Sequence, residues 1–396
     1  MMINVFFSKS SIFSKSSMTH VLEYKIVLEI NLSRKKKQVV DMLPDEVSDG
    51  TRSALKNYFA VTRDKKPSRS RVASTVEADG SGDIDALWAE HERIRGKFHD
   101  LYFEIPEDLY CIEGPEDFTH EKPPFSYLDL KLKLADNLFE DCVLCENRCH
   151  VNRNCERGLC GVKNARITSE FMHMGEEAQL VPSHTIFFAG CNFKCVYCQN
   201  WDISQEPGVG RAFNEKDLAA RIDERRRRGS RNVNFVGGEP TPNLSYIMRT
   251  MSMTQENIPV VWNSNFYMSS ETMHLLDGFA DLFLTDFKYG NDDCAMRLSG
   301  IKNYWKTVTR NHKMAWNAGD MIVRHLILPN HVECCSKPIL KWISRNLGPE
   351  IVLNIMGQYR PVYRASEHAE ISRFPFAKEV QDVVEYAENL GFLNLI

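Results

Sequence analysis

The chain has 396 residues, 43% of them hydrophobic, with 49 Lys and Arg against 53 Asp and Glu and a formal net charge of -4. That length allows one large core plus a smaller module, and the near balance of charge excludes a global electrostatic attraction to nucleic acid or membrane, so any partner must be recognised locally. Twelve cysteines grouped at metal-ligand spacings argue against a secreted disulfide scaffold and for a reducing compartment. No apolar run approaches the roughly 20 residues of a membrane helix, which leads to the expectation of a cytoplasmic protein.

Residues 1–80 are rich in Ser and Lys, including Arg34-Lys-Lys-Lys37, and show no sustained helical or strand period. They are expected to be a low-complexity, disordered extension, and Met18 or Met42 could serve as the start. Residues 81–180 are expected to form a helical, cysteine-rich module. A helix over 83–105 follows from Leu87, His91, Ile94, Phe98 and Leu101 recurring near the helical period, and a second helix is expected over 125–139. Next come Cys142, Cys145, Cys149 and Cys160, a sulfur-only set able to hold zinc or an iron-sulfur cluster, with Cys155 as a substitute ligand. The spacing does not choose between the metals, and buried reduced thiols are the alternative. Arg148, Arg153, Arg157 and Lys163 are interleaved with them and are read as a solvated face.

From residue 181 onward, short β-branched or aromatic runs alternate with helical patterns, the signature of βα units around a parallel sheet. Strands are expected over 185–189, 233–236, 259–262, 281–285, 321–328 and 351–355. Helices are expected over 214–228, with Asn214 as cap and Gly229 as terminator, and over 244–255, 271–276, 302–316, 337–346 and 377–390. Six such units give an α/β fold, an open partial (β/α)6 TIM-like barrel whose active face lies at the C-terminal strand ends. The polar motifs all fall at those ends.

After the first strand stands Cys191-Asn-Phe-Lys-Cys195-Val-Tyr-Cys198. Four cysteines would close a zinc site or ligate every iron of a [4Fe-4S] cluster; three leave one iron free to bind something else. This spacing resembles the cluster motif of the radical S-adenosylmethionine (SAM) enzymes, in which the free iron chelates the amino and carboxylate groups of SAM. With that motif, Cys142 to Val162, Gly237-Gly-Glu-Pro-Thr-Pro242, Trp262-Asn-Ser-Asn265, Leu284-Thr-Asp-Phe-Lys288 and Arg324 to Pro329 resemble the PflX-type proteins, homologues of pyruvate formate-lyase activating enzyme. The shorter activating enzymes lack an equivalent of the Cys142 to Cys160 module.

The resemblance implies a radical SAM fold over about residues 120–395 and assigns roles. Gly237, Gly238 and Glu239 would receive the SAM amino group, with Tyr197 near the adenine and Gln199 and Asn200 in reach of the same ligand. Asn263, Ser264 and Asn265 match a polar strand end that meets SAM. Asp286 would accept the ribose hydroxyls and Lys288 would pair with the carboxylate, with a simple salt bridge between the two as the alternative. Arg324 ranks below Lys288, and His325 is read as a satisfied packing residue. The implied activity is reductive cleavage of SAM to a 5′-deoxyadenosyl radical that abstracts hydrogen from a substrate, a glycyl-radical-type partner protein among the candidates. A flavodoxin or ferredoxin would supply the electron. Two other classes stay open on the residues alone: a zinc-stabilised interaction or nucleic-acid module, and an electron-transfer iron-sulfur protein. The run Arg225-Arg-Arg-Arg228 reads as a solvated helix end rather than a nucleic-acid patch. Cys294, Cys334 and Cys335 fit neither metal set, the adjacent pair being most simply structural, and Cys111 has no partner in sequence.

Overall fold

Eight strands form one sheet in sequence order, β1 (Ile167–His173), β2 (Ser183–Phe188), β3 (Asn232–Gly237), β4 (Val260–Ser264), β5 (Leu282–Asp286), β6 (Asp320–Leu326), β7 (Val352–Met356) and β8 (Asn394–Leu395). Every neighbouring pair is parallel except β1 with β2. The computed structural model describes residues 47–105 and 122–396; Cys111 and residues 1–46 lie outside the described residues. Strands β2 to β7 are the six expected ones, each within a few residues of its expected bounds, so the architecture is an α/β, partial (β/α)6 TIM-like barrel. A central parallel strand is buried on both faces and reads as a continuous apolar run. β1 does not: its burial alternates as in an antiparallel strand with one face toward solvent, and it was not expected.

The helices, in chain order, are α1 (Asp49–Ala54), α2 (Lys56–Thr62), α3 (Arg69–Ala73), α4 (Ile84–Glu104), α5 (Tyr127–Glu140), the single turn α6 (Trp201–Ser204), α7 (Glu215–Arg227), α8 (Leu244–Ser252), α9 (Ser270–Leu276), α10 (Asp292–Ser299), α11 (Tyr304–Ala318), α12 (Lys337–Asn346) and α13 (Ala377–Asn389). Helix α7 starts as the sequence suggests, with the Asn214 side chain accepting from Lys216 N at 2.9 Å, and Gly229 follows it at φ +99°. Its arginine-rich end is not simply solvated. Arg226 is buried and donates to Thr62 O, Asp64 Oδ1 and Ser230 O, while Arg225, Arg227 and Arg228 pair with Glu170, Glu256 and Glu224. Among the described residues no helix is long and apolar enough to cross a membrane.

Two apolar layers meet at the sheet. One lies between the strands and the surrounding helices and also takes in the residues of α4, α5 and the cysteine loops. The other fills the barrel, where Val261, Leu282, Leu284, Ile322 and Val352 pack on Leu180, Tyr58 and Phe59. The last two residues correct the expectation of an unstructured extension through residue 80. Residues 47–73 fold as α1 to α3 and close the N-terminal end of the barrel. Asp320, opening β6, accepts from Tyr58 N at 2.8 Å and Asn57 Nδ2 at 3.0 Å. Asp281, just before β5, accepts from Arg69 N and Val260 N, both at 2.8 Å. The helices are 6, 7 and 5 residues long, too short to print a sustained period, and their few buried apolar residues sit among Ser, Lys and Arg.

Candidate active site

Because the strands are parallel and in register, their C-terminal ends make one rim. Phe188 pairs with Gly237, Ser264 with Thr285, and Asp286 with Arg324. Each residue expected to meet the cluster or SAM lies on that rim or in the loop leaving it, because a polar side chain in mid-strand would have to be buried in the core, while Cys142, Cys145, Cys149 and Cys160 precede the sheet.

The three-cysteine loop leaves β2 through Gly190 and is pinned by its own backbone. Lys194 N and Val196 N donate to Ser299 O and Leu298 O at the end of α10, at 3.0 and 2.9 Å, and Arg364 N donates to Val196 O. Cys191 and Cys195 are buried and Cys198 is half-buried. Each sulfur has a polar neighbour: Phe193 N donates to Cys191 Sγ (3.4 Å), Ser299 Oγ to Cys195 Sγ (2.9 Å), and Ser204 Oγ lies 3.2 Å from Cys198 Sγ. Burial pushes the Cys191 thiol well above its ordinary pKa, with Glu239 and the other two cysteines adding to the shift. Burial, then Cys198, pushes Cys195 up to about 11. Three neighbouring thiols, two of them buried and each with a hydrogen-bonding partner beside its sulfur, whose charged forms repel one another, fit a cationic metal cluster that neutralises them.

Next to this loop lies Gly238. A Cβ there would stand 2.1 Å from Gly190 O, and its backbone N donates to Phe188 O, so only glycine lets the β3 exit approach the cysteine loop. Gly237, at φ +124°, turns the chain. Glu239 is buried and tied down: Oε1 accepts from Thr241 N, Thr241 Oγ and Ser264 Oγ, and Oε2 from Asn265 N at 3.0 Å. Burial still raises its pKa. Glu239 thus holds the exits of β3 and β4 together, with three donors on Oε1 and one on Oε2. Asn265 reaches the other way, donating to Asn192 Oδ1 at 2.7 Å and toward Cys191 Sγ at 3.8 Å.

Asp286 sits between two cations. It accepts from Lys288 Nζ at 2.8 Å and from Arg324 Nε at 2.8 Å, and Arg324 also donates to Asn263 Oδ1 at 2.6 Å. Burial alone would raise the Asp286 carboxyl, but Arg324 and Lys288 hold it below the usual range. The structure therefore brings Asn263, Asp286, Lys288 and Arg324 to one inward face, with the Asp286–Lys288 salt bridge formed. His325, on the opposite face, is satisfied by Phe287 O and Ser336 Oγ, as expected of a packing residue. The side chains of Asp286, Lys288 and Arg324 keep 20%, 21% and 14% exposure, which leaves them accessible to a ligand.

Tyr197 is buried, and its hydroxyl meets that of Tyr289 at 2.7 Å; the Tyr289 hydroxyl meets Ser299 Oγ at 2.5 Å. With Ser299 on Cys195, a chain of hydroxyls ends at a sulfur. Gln199 and Asn200 are exposed just beyond. Tyr289 and Ser299 were not expected, since neither lies in a motif and no helix was expected over Asp292–Ser299.

Sequence reasoning also missed what fills the barrel interior beneath that rim. The loop between β1 and β2 carries Glu176, which accepts from Asn234 Nδ2 at 3.2 Å, and Glu177, which accepts from Asn354 Nδ2 at 3.0 Å; Arg324 Nη1 lies 3.8 and 4.0 Å from the two acids. Glu177 Oε2 and Asn234 Oδ1 are buried with no hydrogen-bond partner among the described residues, as expected of groups facing a polar ligand. Adjacent acids after Gly175 and before a buried strand were the available signal.

Of the upstream set, Cys142, Cys145 and Cys160 are buried, Cys149 is half-buried and Cys155 is exposed. Burial raises Cys145 to about 12, with Cys160 and Cys142 adding to it, and burial raises Cys160, with Cys142 and Cys149 adding in turn. The four therefore lie within one another's electrostatic reach. Arg153 is buried with Nη1 3.6 Å from Cys142 Sγ, and Arg148 forks onto Glu271 at 3.0 and 2.9 Å; these two are structural rather than a solvated face. The module abuts the first site, since Cys160 O lies under Gly190 and Cys145 bridges to Met268.

The family model described as the radical SAM superfamily matches residues 185–343. The uncharacterized protein MJ0674 of Methanocaldococcus jannaschii is 44% identical over 350 residues, covering 86% of this chain and 99% of that protein. The uncharacterized protein MJ0808 of the same organism is 25% identical over 259 residues, covering 59% and 74%. Among solved structures, Streptococcus suis SuiB bound to its precursor peptide SuiA matches with a TM-score of 0.39 at 14% identity, covering 52% of this chain and 46% of that one. SuiB bound to S-adenosylmethionine gives the same TM-score over 52% and 47%. The present chain thus spans less than half the length of those SuiB chains.

Proposed function

This chain belongs to the radical SAM superfamily, whose members use a [4Fe-4S] cluster and S-adenosylmethionine, and from that premise we propose that it is an enzyme binding the cluster through Cys191, Cys195 and Cys198 and SAM across the strand ends beside them. The observation that carries this reading is the meeting, on one rim, of the cysteine loop, the close Gly190–Gly238 contact and the Asp286–Lys288–Arg324 group. When bound, the cluster supplies the electron that splits the sulfonium of SAM into methionine and a 5′-deoxyadenosyl radical, which abstracts a hydrogen atom from the substrate.

The protein's part is to bind, orient and exclude water. Gly237 and Gly238 let backbone approach the ligand, and Glu239 Oε2, which has a single donor in Asn265 N, accepts from the SAM ammonium. Asp286 accepts from the ribose hydroxyls in exchange for one of its present donors, releasing Lys288 to the SAM carboxylate. Tyr197 packs near the adenine, with Gln199 at its edge, and Asn263 and Asn265 fix Arg324 and the cysteine loop. Glu176 and Glu177 face the substrate side. The upstream Cys142, Cys145, Cys149 and Cys160 hold a second metal centre, zinc or iron-sulfur. The PflX-type resemblance favours a protein partner of the glycyl-radical kind as hydrogen donor and a flavodoxin or ferredoxin as reductant.

Anaerobic reconstitution followed by chromatography tests the proposal. Reduced protein plus SAM should yield 5′-deoxyadenosine, and Cys195→Ala should yield none. A colourless, iron-free chain that leaves SAM intact would remove it.

A further inference from the structure

One group of His, Cys, Asp or Glu side chains among the described residues has all its ligand atoms within 4.8 Å of one another, and it is neither of the two cysteine sets above. It comprises Cys294, His331, Cys334 and Cys335. Their sulfurs and the His331 Nδ1 form the corners of a small tetrahedron: Cys294 to Cys334 and Cys334 to Cys335 are each 3.9 Å, and Nδ1 stands 3.5, 3.4 and 3.7 Å from the sulfurs of Cys294, Cys334 and Cys335. Zinc bonds of about 2.3 Å to sulfur and about 2.0 Å to nitrogen, set at tetrahedral angles, give edges of about 3.8 Å between sulfurs and about 3.5 Å from sulfur to nitrogen. The match is to a single ion. Thiolates on separate irons of a cluster stand farther apart, and sulfurs 3.9 Å apart are not joined in a disulfide.

The backbone is built to hold this group. His331, Cys334 and Cys335 are spaced i, i+3, i+4 on the helical turn Val332–Ser336 and its cap, which puts all three on one face. Cys294 comes from the first turn of α10, 37 residues away, where Asn291 both caps Cys294 N and donates to Cys334 O, each at 2.8 Å. Gly290 lets the two loops touch, since a Cβ there would lie 2.6 Å from Cys334 O. Cys294, His331 and Cys335 are 4%, 3% and 1% exposed, while Cys334 reaches the surface. Arg297 Nη2, 3.8 Å from Cys294 Sγ, offsets the net negative charge of three thiolates on one divalent ion.

We propose that Cys294, His331, Cys334 and Cys335 bind one zinc ion tetrahedrally and that this ion clamps the exit loops of β5 and β6. Binding releases three thiol protons to solvent and transfers no electrons. The clamp fixes α10, whose far end carries the Ser299 that bonds Cys195, so the ion steadies the support of the cysteine loop without touching it.

Zinc, iron and sulfide are measured on the full chain purified anaerobically with its metals. Cys334→Ser should lose one equivalent of zinc per chain with iron and sulfide unchanged, and His331→Cys should keep that equivalent, because a fourth thiolate completes the same tetrahedron. The unsubstituted chain supplies a second readout: iodoacetamide should alkylate Cys334 at least about ten times faster after zinc is chelated. Unchanged zinc in folded Cys334→Ser, loss of iron in place of zinc, or alkylation of Cys334 at one rate with and without chelator would each overturn the proposal. SAM cleavage enters none of these readouts, so their failure is separate from failure of the proposed activity.

Discussion

Ser299 Oγ donates to Cys195 Sγ at 2.9 Å, from the end of a helix that the chain reaches about a hundred residues after the cysteine. Its own oxygen is met by Tyr289, and Tyr289 by Tyr197, so each hydroxyl can donate to the next and the last to sulfur. Hydrogen bonds to ligand sulfur favour the more negatively charged, reduced form of an iron-sulfur centre. Ser299→Ala should therefore keep its iron but reduce at a more negative potential, and cleave SAM more slowly with a given reductant. The change is a fraction of the about 1.5–3 kcal/mol of a charge-assisted hydrogen bond. A redox titration followed by electron paramagnetic resonance measures it, and Tyr289→Phe should shift the potential in the same direction by less. No shift in Ser299→Ala would mean the hydroxyl is only packing.

Asp286 holds Lys288 and Arg324 together. Replacing it with Asn leaves two partly buried cations side by side without their counter-charge, a loss of about 3–5 kcal/mol by analogy with broken buried pairs. Asp286→Asn should bind SAM at least tenfold more weakly while retaining iron, as equilibrium binding and iron analysis would show. Full SAM affinity in the variant would confine Asp286 to a structural role.

The Gly190–Gly238 contact predicts a different failure. Gly238→Ala places a methyl 2.1 Å from Gly190 O, and neither backbone can move without displacing the cysteine loop. The expected result is folded protein with well under half the iron and sulfide of the unsubstituted chain after identical reconstitution. Arg324→Gln, which leaves that contact alone, should keep its iron.

How much of this was legible depended on how locally each feature is encoded. The three cysteines of 191–198, the Gly-Gly-Glu run and the Asp286–Lys288 pair sit within a few residues of a buried strand, so periodicity placed them at strand ends, while the roles expected of them came from the family resemblance. Ser299 reaches the site from another segment with nothing near it in sequence to say that it points inward, and for Glu176 and Glu177 the only local signal is a pair of adjacent acids between Gly175 and a buried strand. The three cysteines 294, 334 and 335 were dismissed because His331 was not counted with them and because Cys294 joins them only through the register of β5 and β6. The N-terminal plug was hidden by composition, since Leu55, Tyr58, Phe59 and Val61 are few, fully or nearly buried, and set among charged residues.

That plug should contribute strongly to stability. Phe59, 4% exposed, packs inside the barrel with Val261, Leu284 and Ile322. Phe59→Ala should cost about 3–5 kcal/mol through lost burial and the cavity left behind, read as a lower urea midpoint with an unchanged slope. A midpoint shift of less than about 1 kcal/mol equivalent would mean that residues 47–73 do not seal the barrel.

The same closure predicts a pH dependence. Burial raises Asp281 to about 7, even though Val260 N and Arg69 N donate to its carboxylate. The folded pKa therefore lies above the ordinary value of about 3.9 that the unfolded chain would have. The folded state binds this proton more tightly, so the stability it brings is complete below about pH 4 and is lost as the pH rises through about 7. Asp281→Asn cannot titrate and accepts at only one of the two backbone donors, so it should be less stable by about 1–2 kcal/mol. Its urea midpoint should also fall less than that of the unsubstituted chain between about pH 5 and about pH 8. Equal pH dependence in the two proteins would show that the aspartate is ionised at neutral pH, with its two backbone donors outweighing its burial.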